Sequence, residues 1–294
     1  MRVFVTGATG FIGIPTVKEL IGAGHTVLGM ARSEEGANAL AAIGAEVHRG
    51  SLEDLDSLRS GAAAADAVIH LGFVHDWSNF AQSCATDRRA IEALGSAIAG
   101  SDRLLIVTAG TAGLGGPGRV ASEDDDVPPD IPYPRVSEQT ALALTGVRAS
   151  VVRLPQVHDT ARQGLLTFAV ALAREKGVSA YVGEGRNRWA AAHISDVARL
   201  YRLALEKNEA GARYHAVAEE GVRMLDIAEA IGRGLKVPAT SISAEEAPAH
   251  FGWLAMFASH DLAASSEKTR KTLAWQPAGP GLIADLERVD ASES

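Results

Sequence analysis

Residues 6–13 read TGATGFIG, and this stretch decides the fold of the chain. It follows a short apolar segment, Arg2–Val5, of the type that forms a buried strand. It leads into Phe11–Ala23, where apolar residues recur at the three- and four-residue spacing of a helix. The stretch is therefore predicted to be the turn of a strand–turn–helix unit, the first unit of a parallel α/β sheet.

The three glycines of this turn are spaced as a dinucleotide-binding turn requires. Gly7 permits the tight exit from the strand, Gly10 lets the backbone approach a pyrophosphate, and Gly13 lets the helix pack closely. The helix N-terminus also offers free N–H groups and a positive dipole to the phosphates. The alternative is a glycine-rich turn that binds nothing. The first interpretation assigns cofactor contacts to Gly7, Thr9, Gly10, Phe11, Ile12 and Gly13.

Strand and helix patterns alternate from the turn to residue 154. Such alternation is typical of right-handed βαβ units and of a sheet covered on both faces. The predicted fold is α/β, a Rossmann-type doubly wound parallel sheet. Strands are predicted at His25–Ala31, Glu46–Arg49, Ala67–Leu71, Arg103–Thr108 and Ala149–Leu154, and helices at Glu34–Ile43, Glu53–Ala63, Asn79–Ala99 and Arg135–Leu144.

The pattern becomes irregular after Pro155, which predicts a second, smaller part. Residues 1–155 are assigned to the dinucleotide-binding domain and 156–294 to a smaller, mainly helical part expected to bind the substrate. Residues 190–217, with a strong helical pattern and a strand-like Tyr214–Val217, are expected to return to the first domain. An acidic run, Glu123 to Asp126, is expected to be solvated.

Composition excludes several classes of protein. The chain has 294 residues, and 28 Lys plus Arg against 36 Asp plus Glu give a net charge of 28 − 36 = −8. Without a basic cluster, binding to nucleic acid or to an anionic membrane is not expected. No apolar run reaches the ~18 residues of a membrane span. Cys84 is the only cysteine, which excludes an internal disulfide and favours a cytoplasmic location, and the scattered histidines predict no metal site.

The end of the second strand indicates which nicotinamide cofactor binds. A site selective for NAD(H) uses Asp or Glu there to bind the ribose 2′-hydroxyl. This chain has Ala31-Arg32-Ser33, and a guanidinium suits a 2′-phosphate. NADP(H) is therefore favoured over NAD(H), although Arg32 could also be a surface residue beside the adenine.

Five motifs together resemble a known family. They are TGATGFIG at 6–13, AVIHLG at 67–72, VTAGT at 107–111, VRLP at 152–155 and RWAAAHISDVA at 188–198. In these the chain resembles the extended or atypical short-chain dehydrogenase/reductases, and more closely the NAD(P)-dependent epimerase/dehydratase-like proteins. The resemblance covers essentially the whole chain and is not specific for a substrate. It implies further cofactor contacts from Ser51, Leu52, Leu71, Gly72, Phe73, Thr108, Ala109 and Pro155.

The catalytic set that the resemblance implies is incomplete. The family uses a Ser or Thr, a Tyr that donates a proton, and a Lys four residues later that lowers the pKa of the Tyr. Here Tyr133 is followed at that spacing by Ser137, which carries no charge. Thr111 lies one residue from the Ser/Thr position. Tyr133, helped by Thr111 or a nearby histidine, is the candidate proton donor, and a loop Tyr packed on the sheet edge is the alternative.

A second alignment of this chain with the family's Tyr and Lys positions is also open. Relatives carry a Glu four residues after the Lys and an Arg on the following strand. If Glu138 and Arg153 are these two, the Tyr and Lys positions fall on Asp130 and Pro134, and Tyr133 is only a neighbour of the expected position.

Other candidates lie in predicted loops, where α/β sheets bind ligands. His158 is a candidate catalytic residue, since a histidine can act as an acid near neutral pH. A hydrogen bond between the two parts is the favoured alternative for His193 and for the nearby Asp196. The apolar, aromatic segment His250–Phe257 is predicted to be helical, and it is either core, a dimer face or a cover over the substrate. The candidate substrate contacts are His75, Trp77, His193 and Trp253.

These observations predict an NADP(H)-dependent oxidoreductase that moves hydride between nicotinamide and the carbonyl or alcohol of a small, apolar substrate. An intact cofactor turn beside an incomplete catalytic set also fits a non-catalytic NADP-binding redox sensor. A sugar-nucleotide epimerase or dehydratase is a third, weaker option. The resemblance also implies a homodimer, since relatives often dimerise through the helices flanking the fourth and fifth strands. Asn79–Ala99 could provide this surface, and the alternative is that its charged run Asp87-Arg88-Arg89 faces solvent.

Overall fold

Strands and helices alternate along the first half of the chain, as the sequence predicts. The structure, a computed structural model, describes residues 1–115, 118–127 and 135–289. The first half contains β1 (Arg2–Thr6), α1 (Gly13–Gly22), β2 (Thr26–Ala31), α2 (Glu34–Ala42), β3 (Glu46–Arg49), α3 (Leu55–Ala63), β4 (Ala67–His70), α4 (Phe80–Ile98), β5 (Leu104–Gly110), α5 (Ser137–Leu142) and β6 (Arg148–Leu154).

The second half mixes short strands with helices. A 3₁₀ turn, Trp77–Asn79, precedes α4, and another, Gly252–Leu254, lies between α9 and α10. The elements are β7 (Gln156–His158), α6 (Leu166–Lys176), β8 (Ser179–Val182), β9 (Arg188–His193), α7 (Ile194–Lys207), β10 (Arg213–His215), β11 (Glu219–Arg223), α8 (Met224–Leu235), β12 (Ala239–Ile242), α9 (Ala247–Phe251), α10 (Ala255–Ala258), α11 (Glu267–Leu273) and α12 (Leu282–Leu286).

A seven-stranded parallel sheet organises the first half, in the order β10-β6-β5-β4-β1-β2-β3. Helices α1, α2 and α7 contribute to the apolar cluster on one face. Helices α3, α4 and α5 contribute to the cluster on the other. The predicted doubly wound fold is confirmed. The order of the strands reverses between β1 and β4, and ligands bind such sheets at the carboxyl ends beside that reversal.

The second half returns to the sheet and also builds smaller sheets of its own. Strand β10 pairs with β6, and α7 packs against α1. Strands β11, β9 and β7 form a three-stranded sheet, and β12 pairs with β8. A separate apolar cluster holds α6 and α8 together with the segments around α9 and α12.

Two local features differ from the sequence prediction. Strand β9 was not predicted, because its sequence RWAAAH lacks the β-branched residues that mark a strand. Its three alanines are instead fully buried between neighbouring elements. The segment His250–Phe257 is not one helix: it breaks at Gly252, whose φ of +56° ends α9.

Candidate active site

The turn after β1 is packed so closely that only glycine fits at two positions. Gly7 has a φ of +65°, and a β-carbon built on it would lie 2.7 Å from the amide nitrogen of Gly72. A β-carbon on Gly13 would lie 2.1 Å from the carbonyl oxygen of Gly7. No side chain caps the N-terminus of α1. The turn therefore exposes backbone and uncapped helix N–H groups, as a pyrophosphate requires, and these residues fit a dinucleotide.

Several residues that the resemblance singled out converge on this turn. Thr6 Oγ1 accepts a hydrogen bond from the amide of Gly72 at 3.2 Å, and the Thr6 carbonyl accepts one from Leu71 at 3.3 Å. Leu52 lies over Gly72, since a β-carbon there would be 2.9 Å from Leu52 Cδ2. The ends of β1 and β4 and the loop after β3 thus form one surface.

Two arginines lie at the other side of the turn, at the ends of β2 and β3. Arg32 is exposed and makes no hydrogen bond or ion pair with any residue that the structure describes. Ser33 caps α2, and its carbonyl accepts a hydrogen bond from Arg49 Nη1 at 2.7 Å. Arg49 also pairs with Glu34 at 3.3 Å. Sequence reasoning missed Arg49. It could have been found, because Arg49 ends the third predicted strand and pairs with Ala31 at the end of the second.

The threonines at the end of β5 use their hydroxyl groups within the protein. Thr108 Oγ1 donates to the carbonyl of His70 at 2.7 Å and lies 2.7 Å from the hydroxyl of Tyr201. The amide and hydroxyl of Thr111 both point to the carbonyl of Leu154, at 3.0 and 3.4 Å. Both threonines are buried. Of the other predicted cofactor contacts, Ala109 is buried, Ser51 and Pro155 are half-buried, and Thr9 is exposed.

A residue that sequence reasoning missed, Arg135, lies between these strand ends. Its Nη2 donates to the carbonyl of Thr108 at 3.1 Å, and its guanidinium carbon lies 4.2 Å from the centroid of the Phe73 ring. Its Nε donates to Ser137 Oγ at 3.0 Å, and Ser137 in turn donates to the buried Asp87 at 2.5 Å. A cation therefore stands close to Ser137, the position for which the sequence predicted no charge.

Five aromatic side chains form a continuous surface, the aromatic wall: Phe73, Trp77, Phe80, Phe168 and Trp253. The indole of Trp77 lies between Phe80 at 5.2 Å and Trp253 at 4.4 Å, both nearly parallel to it. Phe168 meets Trp253 edge-on at 4.9 Å, and Phe73 lies 6.0 Å from Phe80. Three predicted site residues, Phe73, Trp77 and Trp253, are thus brought together.

His75 joins this wall, with its ring 5.2 Å from Phe73 and 6.3 Å from Trp77. Its ring is only partly desolvated, since the side chain is exposed. That partial burial and the charge of Arg135 lower the pKa of His75. A histidine with a lowered pKa is neutral at neutral pH and can accept a proton there.

The other two candidate histidines form a separate pair. The rings of His158 and His193 are 5.7 Å apart, and no hydrogen bond, ion pair or ring contact within the described ranges joins either to the aromatic wall. His158 is fully buried, with Nδ1 2.7 Å from Asp285 Oδ2. Burial lowers the pKa of His158, against the raising effect of the Asp285 carboxylate. His193 caps α7, and its Nδ1 lies 2.8 Å from Ser195 Oγ.

Asp196 joins α7 to the segment before α12. Its two carboxylate oxygens accept hydrogen bonds from the amides of Ala278 and Gly279, at 2.9 and 2.8 Å. Its backbone carbonyl accepts one from the indole of Trp275 at 3.0 Å. The hydrogen-bonding role that sequence reasoning favoured for this residue is the one it has.

Comparison with known proteins identifies the family. The model of the NAD dependent epimerase/dehydratase family matches residues 3–218. The chain belongs to this family. Uncharacterized protein C2A9.02 of Schizosaccharomyces pombe is 48% identical over 290 residues, covering 97% of this chain and 98% of that protein.

Two further relatives have names that state an activity or a ligand. Sterol-4-alpha-carboxylate 3-dehydrogenase, decarboxylating, of Dictyostelium discoideum is 25% identical over 249 residues, covering 76% of this chain and 73% of that enzyme. The crystal structure of human epimerase family protein SDR39U1 with NADPH superposes with a TM-score of 0.75 at 22% identity, over the full length of both chains. At this identity, the similarity to the human structure shows only that the two proteins share a fold.

The acid–base residues of the epimerase/dehydratase family would lie just before α5. Arg153 donates to both carboxylate oxygens of Glu138, at 2.7 and 2.6 Å. One of the two registers open from the sequence takes these residues as the family's Glu and Arg. That register assigns the family's Tyr and Lys positions to Asp130 and Pro134. These two residues and Tyr133 lie outside the described residues.

Within residues 1–115, 118–127 and 135–289, no three His, Cys, Asp or Glu side chains are arranged to hold a metal ion. None of the helices in those ranges is long and apolar enough to cross a membrane.

Proposed function

We propose that this protein is an NADP(H)-dependent oxidoreductase that transfers hydride between nicotinamide and the carbonyl or alcohol carbon of a small, apolar substrate. One observation carries the proposal: the cofactor turn and the aromatic wall are directly joined. Gly72 packs on the glycine turn, and the next residue, Phe73, begins the wall. A cofactor bound at the turn would therefore lie beside a large apolar surface, where water is displaced and electrostatic interactions are stronger.

The preference for NADP(H) rests on Arg32. Its guanidinium is exposed at the end of β2, with no partner among the described residues, and it can bind a 2′-phosphate bidentately. The nearest carboxylate in the sequence, that of Glu34, forms an ion pair with Arg49. It is therefore not free to bind the ribose 2′-hydroxyl of NAD(H).

The apolar substrate class rests on the aromatic wall. Aromatic faces bury large apolar areas and offer few hydrogen bonds, so they suit a hydrophobic carbonyl compound better than the hydroxyl groups of a sugar nucleotide. The name of the Dictyostelium relative, a sterol-4-alpha-carboxylate 3-dehydrogenase, supports the same class. The bound cofactor would supply the hydride, and the wall would position the apolar body of the substrate.

The proton for the substrate oxygen is assigned to Tyr133. Thr111 and His158 are less suited, since both are buried and hydrogen-bonded within the protein. His193 is tied to Ser195. His75 stands on the wall itself, so it is the residue to which the acid–base role would pass if Tyr133 does not carry it.

The test follows NADPH absorbance with a panel of apolar ketones and aldehydes, comparing wild type with Tyr133→Phe. Tyr181→Phe is the matched control, since Tyr181 lies in β8. The proposal predicts turnover by wild type and by the control, and at least ~100-fold slower turnover by Tyr133→Phe. Equal turnover by both variants would show that Tyr133 is not the proton donor.

A second candidate, a redox sensor that binds NADP(H) without turnover, is favoured by one observation. The hydroxyl of Thr111 and the imidazole of His158, both candidates for acid–base work, are committed to internal hydrogen bonds. The same assay separates the two functions. Tight NADPH binding with no consumption against the whole panel would support the sensor and contradict the oxidoreductase.

A further inference from the structure

Arg135 places a positive charge over the carboxyl ends of two neighbouring strands, β4 and β5. Its Nη2 donates to the Thr108 carbonyl at the end of β5, and its guanidinium lies over the ring of Phe73, three residues after the end of β4. Stacking of this kind is more favourable where the cation is partly desolvated, and Arg135 is half-buried.

A chain of buried polar side chains holds Arg135 in this position. Ser137 Oγ accepts a hydrogen bond from Arg135 Nε at 3.0 Å and donates one to Asp87 Oδ2 at 2.5 Å. The other oxygen of Asp87 lies 3.2 Å from His70 Nε2, and His70 Nδ1 lies 2.7 Å from Thr6 Oγ1. Thr6 is the last residue of β1, so the chain links the cation to the start of the cofactor turn.

The carboxylate of Asp87 is buried deeply for a surface helix, with 2% of its surface exposed. Burial alone would raise its pKa, but hydrogen bonds from His70 and Ser137 and the charges of His70 and Arg135 lower it below the usual value. Asp87 therefore remains ionised. A buried charge destabilises a fold unless it is paired, and this one is paired in a way that orients Arg135.

We propose that Arg135 binds the nicotinamide-riboside half of the cofactor and places a fixed positive charge beside the substrate oxygen, with Ser137 and Asp87 as positioning residues. The inference rests on the proposed function. A dinucleotide crosses such a sheet at the reversal of strand order, here between β1 and β4. Arg32 lies on the β2 side of that point and Arg135 on the β5 side, so the two arginines suit opposite ends of one cofactor.

The charge of Arg135 has a defined part in the reaction. As hydride forms a bond to the carbonyl carbon, the C=O π electron pair moves to the oxygen, which a proton from the general acid then neutralises. A guanidinium does not release a proton in the pH range of proteins, so Arg135 is not that acid. It stabilises the negative charge that develops on the oxygen.

The test compares two ligands: NADP⁺, and 2′,5′-ADP, which carries the 2′-phosphate and lacks the nicotinamide riboside. Dissociation constants are measured by calorimetry for wild type, Arg135→Met, Arg32→Ser and the control Arg88→Met, an exposed arginine of α4. We expect Arg135→Met to weaken NADP⁺ roughly 10-fold or more and to leave 2′,5′-ADP within about twofold. Arg32→Ser weakens both ligands, and Arg88→Met weakens neither.

Other results would contradict either the role of Arg135 or the proposed function. Unchanged NADP⁺ binding by Arg135→Met, or equal loss of both ligands, would overturn the role of Arg135 while the proposed function stands. Failure of wild type to bind either ligand would overturn the proposed function itself, and the role of Arg135 with it.

The positioning role is tested by Ser137→Ala, which removes one hydroxyl, and by Asp87→Asn. We expect Ser137→Ala to weaken NADP⁺ roughly 3- to 10-fold with 2′,5′-ADP unchanged, since one hydrogen bond to a charged group is lost. Arg135→Lys, which keeps the charge, should recover part of the loss caused by Arg135→Met. Ser137→Ala with wild-type affinity for both ligands would show that the chain of hydrogen bonds does not position Arg135.

Discussion

The indole rings of Trp77 and Trp253 stack with their centroids 4.4 Å apart and their planes 10° from parallel. Trp77 belongs to the 3₁₀ turn after β4, and Trp253 to the one between α9 and α10. The contact therefore joins the cofactor-binding sheet to the C-terminal part across the aromatic wall. Sequence reasoning named both residues as substrate contacts but had no means of pairing them, because nothing in the chain relates residues so far apart.

Replacing Trp253 by alanine should weaken substrate binding and leave the cofactor unaffected. The indole contributes apolar area and an aromatic stack worth ~0.5–1.5 kcal/mol, so the KM of an apolar ketone should rise roughly 2- to 12-fold. Steady-state kinetics measure the KM, and fluorescence titration measures the NADPH affinity.

Met256→Ala is the control for this prediction. Met256 is three residues further on and 59% exposed, and it makes no ring contact with the wall. Its substitution should leave the KM unchanged. An equal rise in KM for both variants would mean that the whole segment is sensitive, and that Trp253 has no special role.

Replacing Arg32 by serine should reverse the cofactor preference. A charge-assisted contact to the 2′-phosphate is worth about 1.5–3 kcal/mol, so NADPH affinity should fall roughly 10- to 100-fold while NADH affinity holds. The difference should shrink at high salt, because Arg32 is exposed and screened. The measurement is a pair of titrations at two salt concentrations; Arg59→Ser, an exposed arginine of α3 paired with Asp56, is the control. A parallel loss of NADPH and NADH affinity would argue against 2′-phosphate recognition.

Glu138→Gln should strongly destabilise the fold. Arg153 is fully buried and both oxygens of Glu138 bind it, so the substitution leaves a buried charge without its partner. Loss of one member of such a pair costs about 3–5 kcal/mol in the free energy of unfolding. Denaturation by urea measures the loss.

The exposed pair of Arg59 and Asp56 offers a matched comparison, since its N···O distance of 2.8 Å is similar. Asp56→Asn should change stability by less than ~0.5 kcal/mol, because water screens the pair. If the two variants lost the same free energy, burial would not be the deciding factor.

The sequence was sufficient where the backbone pattern carries the information. Gly7 and Gly13 predicted the turn, and β3 was predicted with its observed bounds, because glycine spacing and apolar period report local structure directly. The family resemblance implied cofactor contacts from Leu52 and Gly72, and the structure places both beside the turn, because parallel strands bring their carboxyl ends to one edge.

The features that the sequence did not predict depend on the direction in which polar side chains point. Asp87 was taken as a surface charge in a run with two arginines, but the helix turns it inward to His70 and Ser137. Glu123 was expected to be solvated and is instead buried, accepting hydrogen bonds from Thr269 at 2.7 Å. Arg135 was overlooked because its role arises from contacts made between separate strands. Such partners are fixed by tertiary packing, and the sequence does not indicate them.

Stability should fall as the pH drops below about 6.5, because two buried histidines, His158 and His215, are held with lowered pKa values, burial being the main cause for each. The unfolded chain takes up these protons near pH 6.5 while the folded chain does not, so the free energy of unfolding should decline by up to ~1.4 kcal/mol per pH unit for each histidine until its folded-state pKa is reached. His158→Asn retains a hydrogen-bond donor toward Asp285 but cannot titrate, and it should reduce the slope measured by urea denaturation between pH 7.5 and 5.5, by at most ~1.4 kcal/mol per pH unit. A slope that His158→Asn does not alter would show that this buried imidazole takes up its proton equally in both states.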